Sequence, residues 1–430
     1  MRLNFKTGFL FYTVILFTLF SCKKDEKLDS PNINGPRTVC LGEQEVEYSI
    51  NLNAPVDYVL WSVPQGTEIV SGQGSNKILV NFGGVAGKIT AQIQDKNQSG
   101  IQNAIDVNFD CQTNKICRIK DFPGAARKRA FAFQIGNKGY IGGGYGVNSN
   151  TGQTEDYKDL WELDTETQTW SQKANFNGFS GYLYSYFNQF TIQNDFYIFS
   201  TNSSGIAYNL ISYSALNNSW TTKGSVGNLD NYGAACFSVN GKGYVCCGDE
   251  NNFSTPPIGS SYYLNTVFEY EPTTDTWIQK NNFPGSTRIL SKGFSIGGNG
   301  YITGGYDFIN SPPNGNYVYY KDVWKYESST DTWTAQADLP SYFDNSLYQI
   351  STISNNAFLT YIDYYGYLKI LRFNPTENNT WVTLKEATVN FNYNFSMFSA
   401  GTQLYFGLGE NIQSNLGNPN SSRIYKFCTE

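Results

Sequence analysis

The chain has 430 residues, 16% of them aromatic and only 15% charged, a composition that excludes a disordered chain and predicts at least two packed domains. Its formal net charge is −6 and it contains no histidine. That charge gives no basic footprint for nucleic acid, and without histidine the Ser-His-Asp and Cys-His nucleophile systems and imidazole metal sites are excluded.

At the start, Arg2 and Lys6 precede an apolar run from Thr7 to Phe20. The run is shorter than the roughly 20 apolar residues that span a bilayer and reads as a targeting segment. It ends in Leu19-Phe20-Ser21-Cys22, which resembles the lipobox of bacterial lipoproteins. That resemblance implies lipidation at Cys22, a signal peptide over residues 1–21 and an outer-membrane lipid anchor. Lys23-Lys24-Asp25-Glu26-Lys27 is similar to the export signal of surface-exposed lipoproteins in the Bacteroidetes group, which implies display at the cell surface. Residues 22–35 are expected to be a tether, and the mature part carries 28 basic against 36 acidic residues.

Beyond the tether the chain reads as all-β: short stretches rich in Tyr, Phe, Val and Ile are punctuated by Gly, Asn and Pro. Residues 36–112 form a first unit of about seven candidate strands, with Trp61 in the middle of Tyr58-Val59-Leu60-Trp61-Ser62-Val63-Pro64, as in an Ig-like sandwich. The stretches Gly35-Pro36, Val39-Cys40, Leu60–Pro64, Ser71–Gly74 and Ile78–Phe82 resemble those of PKD-like domains. Cys40 and Cys111 sit on the first and last strands of this unit, and a disulfide is expected between them.

Residues 116–430 are governed by a repeat. Trp170, Trp220, Trp277, Trp333 and Trp381 recur every fifty residues or so, and most close a phrase such as Tyr270-Glu271-Pro272-Thr273-Thr274-Asp275-Thr276-Trp277. Upstream stand Gly139-Tyr140-Ile141-Gly142-Gly143-Gly144 and Gly300-Tyr301-Ile302-Thr303-Gly304-Gly305. Diglycine, polar loop, Tyr-Asp/Glu strand and Trp together resemble the kelch repeat, which implies a six-bladed β-propeller. Such a unit is too small to bury both faces of its sheet, so neighbours must stack and a closed ring leaves few edges. Five blades end in the tryptophans. The sixth is expected to join Gln403–Gly409 and Arg423–Phe427 to Ile116–Lys120, with a disulfide between Cys117 and Cys428. Cys236 is expected opposite Cys247.

In a four-stranded antiparallel blade the second connection and the link to the next blade emerge on one face. The second connections Tyr145–Lys158, Asp249–Leu264, Asp307–Lys321 and Glu410–Ser422 are long, and loops on a rigid scaffold are where binding resides. Tyr157, Phe253, Tyr262, Tyr263, Phe308, Tyr317, Tyr319 and Tyr320 lie in these loops and offer flat apolar area with polar tips. Arg127, Arg129 and Arg288 precede first strands and are expected to reach the central channel, where a guanidinium can grip a carboxylate. Kelch resemblance extends to the galactose-oxidase class, but a copper site of that kind needs histidine, so the likeness stops at the fold. No cofactor or metal is expected. The residues thus point to a non-catalytic surface protein that presents its loop-rich face to a glycan or protein ligand. The alternatives are a sugar-modifying enzyme of mutarotase or epimerase type, or a structural subunit of an outer-membrane assembly.

Overall fold

The computed structural model describes residues 30–53, 56–94, 101–148, 151–176, 188–201, 208–224, 233–249, 263–309, 316–343, 348–377, 379–389, 391, 394–410 and 420–429. Every regular element among them is a strand, and none is a helix able to cross a membrane.

The first domain is a sandwich of two four-stranded sheets. One is built from Asn32–Asn34, Val46–Asn51, Lys77–Asn81 and Glu68–Ser71, the other from Thr38–Val39, Gln102–Phe109, Gly87–Gln94 and Tyr58–Ser62. Alternation decides which residues enter it. Val59 and Trp61 are buried while Tyr58, Leu60 and Ser62 face out, as a half-buried strand requires. The Trp61 indole lies in the core and donates its ring N–H to Ser75 O at 2.8 Å. The domain begins earlier than the sequence suggests, because Asn32–Asn34, assigned to the tether, pairs with Val46–Asn51.

The second domain consists of six four-stranded antiparallel blades. The first five are continuous in sequence, spanning Phe131–Lys173, Gln189–Thr222, Ala235–Gln279, Lys292–Gln336 and Tyr348–Thr388. The sixth joins Ser396–Ala400, Gln403–Gly407 and Ile424–Cys428 to Ile116–Ile119, which forms its outer edge. The first strand of each blade touches the first strands of both neighbours, with the sixth against the first, so the ring is closed.

Two aromatic devices hold the ring. In five blades a phenylalanine of the first strand stacks on a tyrosine of the second: Phe133 on Tyr140, Phe190 on Tyr197, Phe237 on Tyr244, Phe294 on Tyr301 and Phe398 on Tyr405, with centroids 4.7–5.2 Å apart. Three of these phenylalanines also cover the glycine before the tyrosine of the next blade. A Cβ at Gly139, Gly243 or Gly300 would lie 1.8–2.2 Å from Phe398, Phe190 or Phe237 respectively. The tryptophans then reach back to the preceding blade, Trp220 to Phe131, Trp277 to Phe199 and Trp333 to Phe237.

The cysteine pairing differs from the expectation. Cys40 bonds to Cys117, and Cys111 to Cys428. All four sulfurs gather in one cluster where the sandwich meets blade six, so each Ig-side cysteine has a blade partner rather than one from its own unit. Around them the Lys115 ammonium meets Glu43 at 3.0 Å, and Gln44 N–H donates to Arg118 O at 3.0 Å. Lys426 donates to Leu41 O at 3.2 Å, and burial pushes its ammonium down to about 8. Cys236 lies opposite Val245, not Cys247, because the hairpin turns one residue pair tighter than the sequence suggests. Cys236, Cys246 and Cys247 are buried and take part in neither disulfide.

Each bridge constrains an unfolded loop, of 77 and 317 residues respectively. Paired Cys40→Ser/Cys117→Ser and Cys111→Ser/Cys428→Ser changes are each expected to cost roughly 2–5 kcal/mol, read as a lowered Tm. Non-reducing peptide mapping is expected to recover these two pairs; recovery of Cys40–Cys111 and Cys117–Cys428 would overturn the assignment.

Candidate functional site

Strand direction sorts the propeller's two faces. First and third strands end in tight turns on one face, while second connections and blade-to-blade links emerge on the other. The third strand of blade six ends at Cys428, and the outer strand of that blade starts at Ile116. The disulfide cluster and the sandwich junction therefore belong to the tight-turn face. The long loops lie opposite.

On the long-loop face two second connections fold into extra hairpins. One pairs Tyr145–Val147 with Thr154–Asp156, the other Tyr306–Ile309 with Asn316–Tyr319. The corresponding loops of blades three and six are each pinched by a single bridge, Asp249 to Tyr263 and Glu410 to Asn420. Phe253 and Tyr262 lie outside the described residues, as does Cys22.

The second hairpin segregates its side chains. Tyr306 pairs with Tyr319 and Phe308 with Tyr317, so the two-residue period of a strand puts four aromatic rings on one side. Their centroids are 4.9–5.5 Å apart along Phe308–Tyr317, Tyr306–Tyr317 and Tyr306–Tyr319. Tyr263 from blade three adds a fifth ring, edge-on to Tyr306 at 6.2 Å. Asp307 points to the other side, is buried, and accepts the Thr287 hydroxyl at 2.8 Å. Tyr317 and Tyr319 keep 58% and 49% of their surface exposed, a large apolar area with no cover among the described residues. Tyr364 and Tyr365, at the second turn of blade five, are also exposed on this face.

The arginines divide. Arg127 and Arg288 are fully buried and do not reach the channel. Arg127 forms a bidentate pair with Asp159 at 2.6 and 2.8 Å and also donates to Ala125 O and Gly143 O. Arg288 repeats this with Asp322, Ser286 O and Gly304 O. Each guanidinium is stacked between two rings, Phe122 and Tyr157 for Arg127, Phe283 and Tyr320 for Arg288, at 4.2–4.8 Å. Four of the five N–H donors of each guanidinium are spent on the blade, so Arg127, Arg288, Tyr157 and Tyr320 serve the scaffold rather than a ligand. The Asp-Leu-Trp and Asp-Val-Trp runs at 159–161 and 322–324 complete the clamp, as Trp161 and Trp324 donate to the same carboxylates.

Arg129 does reach the channel. Its side chain lines a cavity of about 180 Å³ at the long-loop end, and its Nε donates to Asn394 at 3.1 Å. The cavity is formed where the first strands of all six blades begin, and its lining includes Asn188, Gln189, Ser291, Lys292, Tyr348 and Gln349. Among the described residues no carboxylate lines it. Burial pushes the Lys292 ammonium below the ordinary lysine value, offset in part by the neighbouring Cys236. Lys292 and Cys236 were not singled out in the sequence as channel groups. The available signal was position, because both fall at the start of a first strand.

Residues 27–108 match the family of PKD-like domains. A solved structure, described as "Structure of YjhT", is similar with 15% identity and a TM-score of 0.49, covering 70% of this chain and 95% of that one. No curated protein matches the chain.

Burial pushes the Asp159 carboxyl up, but the Arg127 guanidinium and the Trp161 N–H more than offset this and hold it below the usual carboxylate range. A carboxylate with a lowered folded pKa contributes stability above its unfolded value, and that contribution is lost as pH falls through the folded pKa. The Tm is therefore expected to hold across neutral pH and to drop below about pH 4. Arg127→Ala and Arg288→Ala are each expected to cost about 3–5 kcal/mol by stranding a carboxylate, measured by urea unfolding. A loss under about 1 kcal/mol would assign the pairs to the weak surface class.

Proposed function

We propose that this protein is a lipid-anchored, non-catalytic binding protein of kelch-propeller type that presents its long-loop face to a glycan at the cell surface. The observation that carries the reading is the four-ring side of the hairpin at Tyr306–Tyr319, with Tyr317 and Tyr319 about half exposed. A soluble protein hides aromatic surface unless something else is to cover it. Rings offered flat, with hydroxyl tips at their edge, suit the apolar faces and hydroxyls of a sugar. Building them on a hairpin joined to the blade by the Ile289–Tyr306 bridge fixes their spacing before a ligand arrives.

The arrangement of the domains supports the same reading. The sandwich, with its first strand Asn32–Asn34, joins the tight-turn face and so lies on the side of the ring away from the long loops. The channel does not assemble a general acid and base from described residues, since its cations and Tyr348 have no carboxylate beside them in the lining. That weighs toward binding over sugar modification.

Soluble Ser30–Glu430 is expected to retain specific glycans on an array. Tyr317→Ala with Tyr319→Ala is expected to weaken the best of them at least about tenfold, or 1.4 kcal/mol, while the Tm stays within about 2 °C. Retention unchanged by the double substitution would remove the hairpin as the site. A blank array together with a cross-linked protein partner on whole cells would replace the glycan with a protein ligand.

A further inference from the structure

The blades repeat, so equivalent positions can be compared around the ring. Two residues before each blade's stacking position on the first strand, the chain carries Phe131, Asn188, Ala235, Lys292, Gln349 and Ser396. These six lie at the long-loop end of the channel, and all but Ala235 line the cavity there. Elsewhere the repeat is conservative in its chemistry, whereas this ring is mixed, and only blade four supplies a charge.

We propose that the channel mouth is an anion subsite that takes a terminal carboxylate of the ligand, with Lys292 as the countercharge and Ser291 and Arg129 as flanking donors. This deepens the glycan reading above and rests on it for the rest of the ligand; the subsite itself stands on three separate observations. The Lys292 ammonium forms no hydrogen bond or ion pair with any described residue, although the residue lines the cavity, is only partly exposed, and burial lowers its pKa. A lysine in an enclosed site is ordinarily paired. The Ser291 hydroxyl beside it is buried without a hydrogen-bond partner and is able to donate. Buried polar atoms left without partners carry the desolvation penalty until something fills the site. Among the described residues no carboxylate lines the cavity that Lys292 faces.

Size sets the class of group that enters. A cavity of about 180 Å³ lies below the roughly 300–1,000 Å³ of ordinary small-molecule pockets, so an end group fits where a whole oligosaccharide does not. Position sets the rest. Tyr306, at the base of the aromatic hairpin, bridges Ile289, three residues ahead of Lys292 on the same chain segment. A saccharide whose ring lies on Tyr317 and Tyr319 thus approaches the channel along blade four, and an acidic residue at its end meets the ammonium. The ligand class is an acidic glycan, read by one apolar and one charged contact.

D-galacturonate and D-galactose differ at C6, carboxylate against hydroxymethyl, and serve as the probes in calorimetric titrations of soluble Ser30–Glu430. Galacturonate is expected to bind at least about tenfold more tightly than galactose. Lys292→Met is expected to erase that preference without lowering the Tm, and Lys292→Arg to keep it. Equal affinity for the two sugars, absence of galacturonate binding, or a preference that survives Lys292→Met overturns the subsite. The Tyr317→Ala/Tyr319→Ala protein separates the two readings. If the hairpin alone is misassigned, that protein binds both sugars as the parent does and keeps the preference. If the channel alone is misassigned, it loses affinity for both sugars and the parent shows no preference.

Discussion

The propeller depends on a ring packed against the absence of a side chain. At Gly139, Gly243 and Gly300 a phenylalanine from the preceding blade occupies the volume that a Cβ would take. Those same rings stack on the tyrosines of their own blades, so one aromatic side chain fixes both the inside of a blade and its distance from the next. Interiors at crystal-like density transmit such a fit rather than absorbing it. Blade five departs from it, with Ser351 where the phenylalanine would stand, and joins blade six through a Ser351–Ser399 hydrogen bond at 2.9 Å. A polar joint there substitutes direction for buried area.

Closure is the second constraint, because a ring made from one chain must join its ends. The outer strand of blade six comes from the segment just after the sandwich, so the first domain is attached at the very point where the ring is sealed. Two disulfides, the Lys115–Glu43 pair and the Lys426–Leu41 hydrogen bond all act on that junction. The sandwich is consequently held against blade six rather than swinging on a linker. It sits on the tight-turn face, which leaves the long-loop face open.

The blades were legible in the sequence because the constraints that make them are local and repeated. Trp spacing, the Gly-Tyr pair and the diglycine each answer to one packing requirement and recur about fifty residues apart. Part of the Thr-Asp-Thr-Trp phrase has a further cause: Asp275 and Asp331 adopt positive φ at the third turn and accept the hydroxyls of Tyr270 and Tyr326. What the sequence hid was long-range choice. Four cysteines brought into one cluster pair according to sub-ångström placement, and neither spacing nor strand adjacency selects among the partners. Arg127 and Arg288 looked like channel groups because their partners, Asp159 and Asp322, lie more than thirty residues downstream, each just before a third strand. The repeated Asp-x-Trp run was the overlooked clue, since two copies of one arginine facing two copies of one aspartate mark scaffold.

The same comparison separates scaffold from site more generally. Arg127 and Arg288 occupy equivalent places with equivalent partners, and so belong to what the fold needs more than once. Lys292 has no equivalent at the other five positions of its ring, and the aromatic hairpin of blade four is matched in blade one by a hairpin carrying Tyr145, Val147, Thr154 and Asp156 instead. A feature that the architecture requires is bound to recur with the blade, whereas a ligand touches the ring asymmetrically and leaves its demands on one or two blades. Both the exposed rings and the unpaired ammonium fall on blade four, joined through the short stretch from Ile289 to Lys292. Their coincidence on one blade is what a single ligand spanning rim and channel would impose, and neither stacking nor ring closure asks for it.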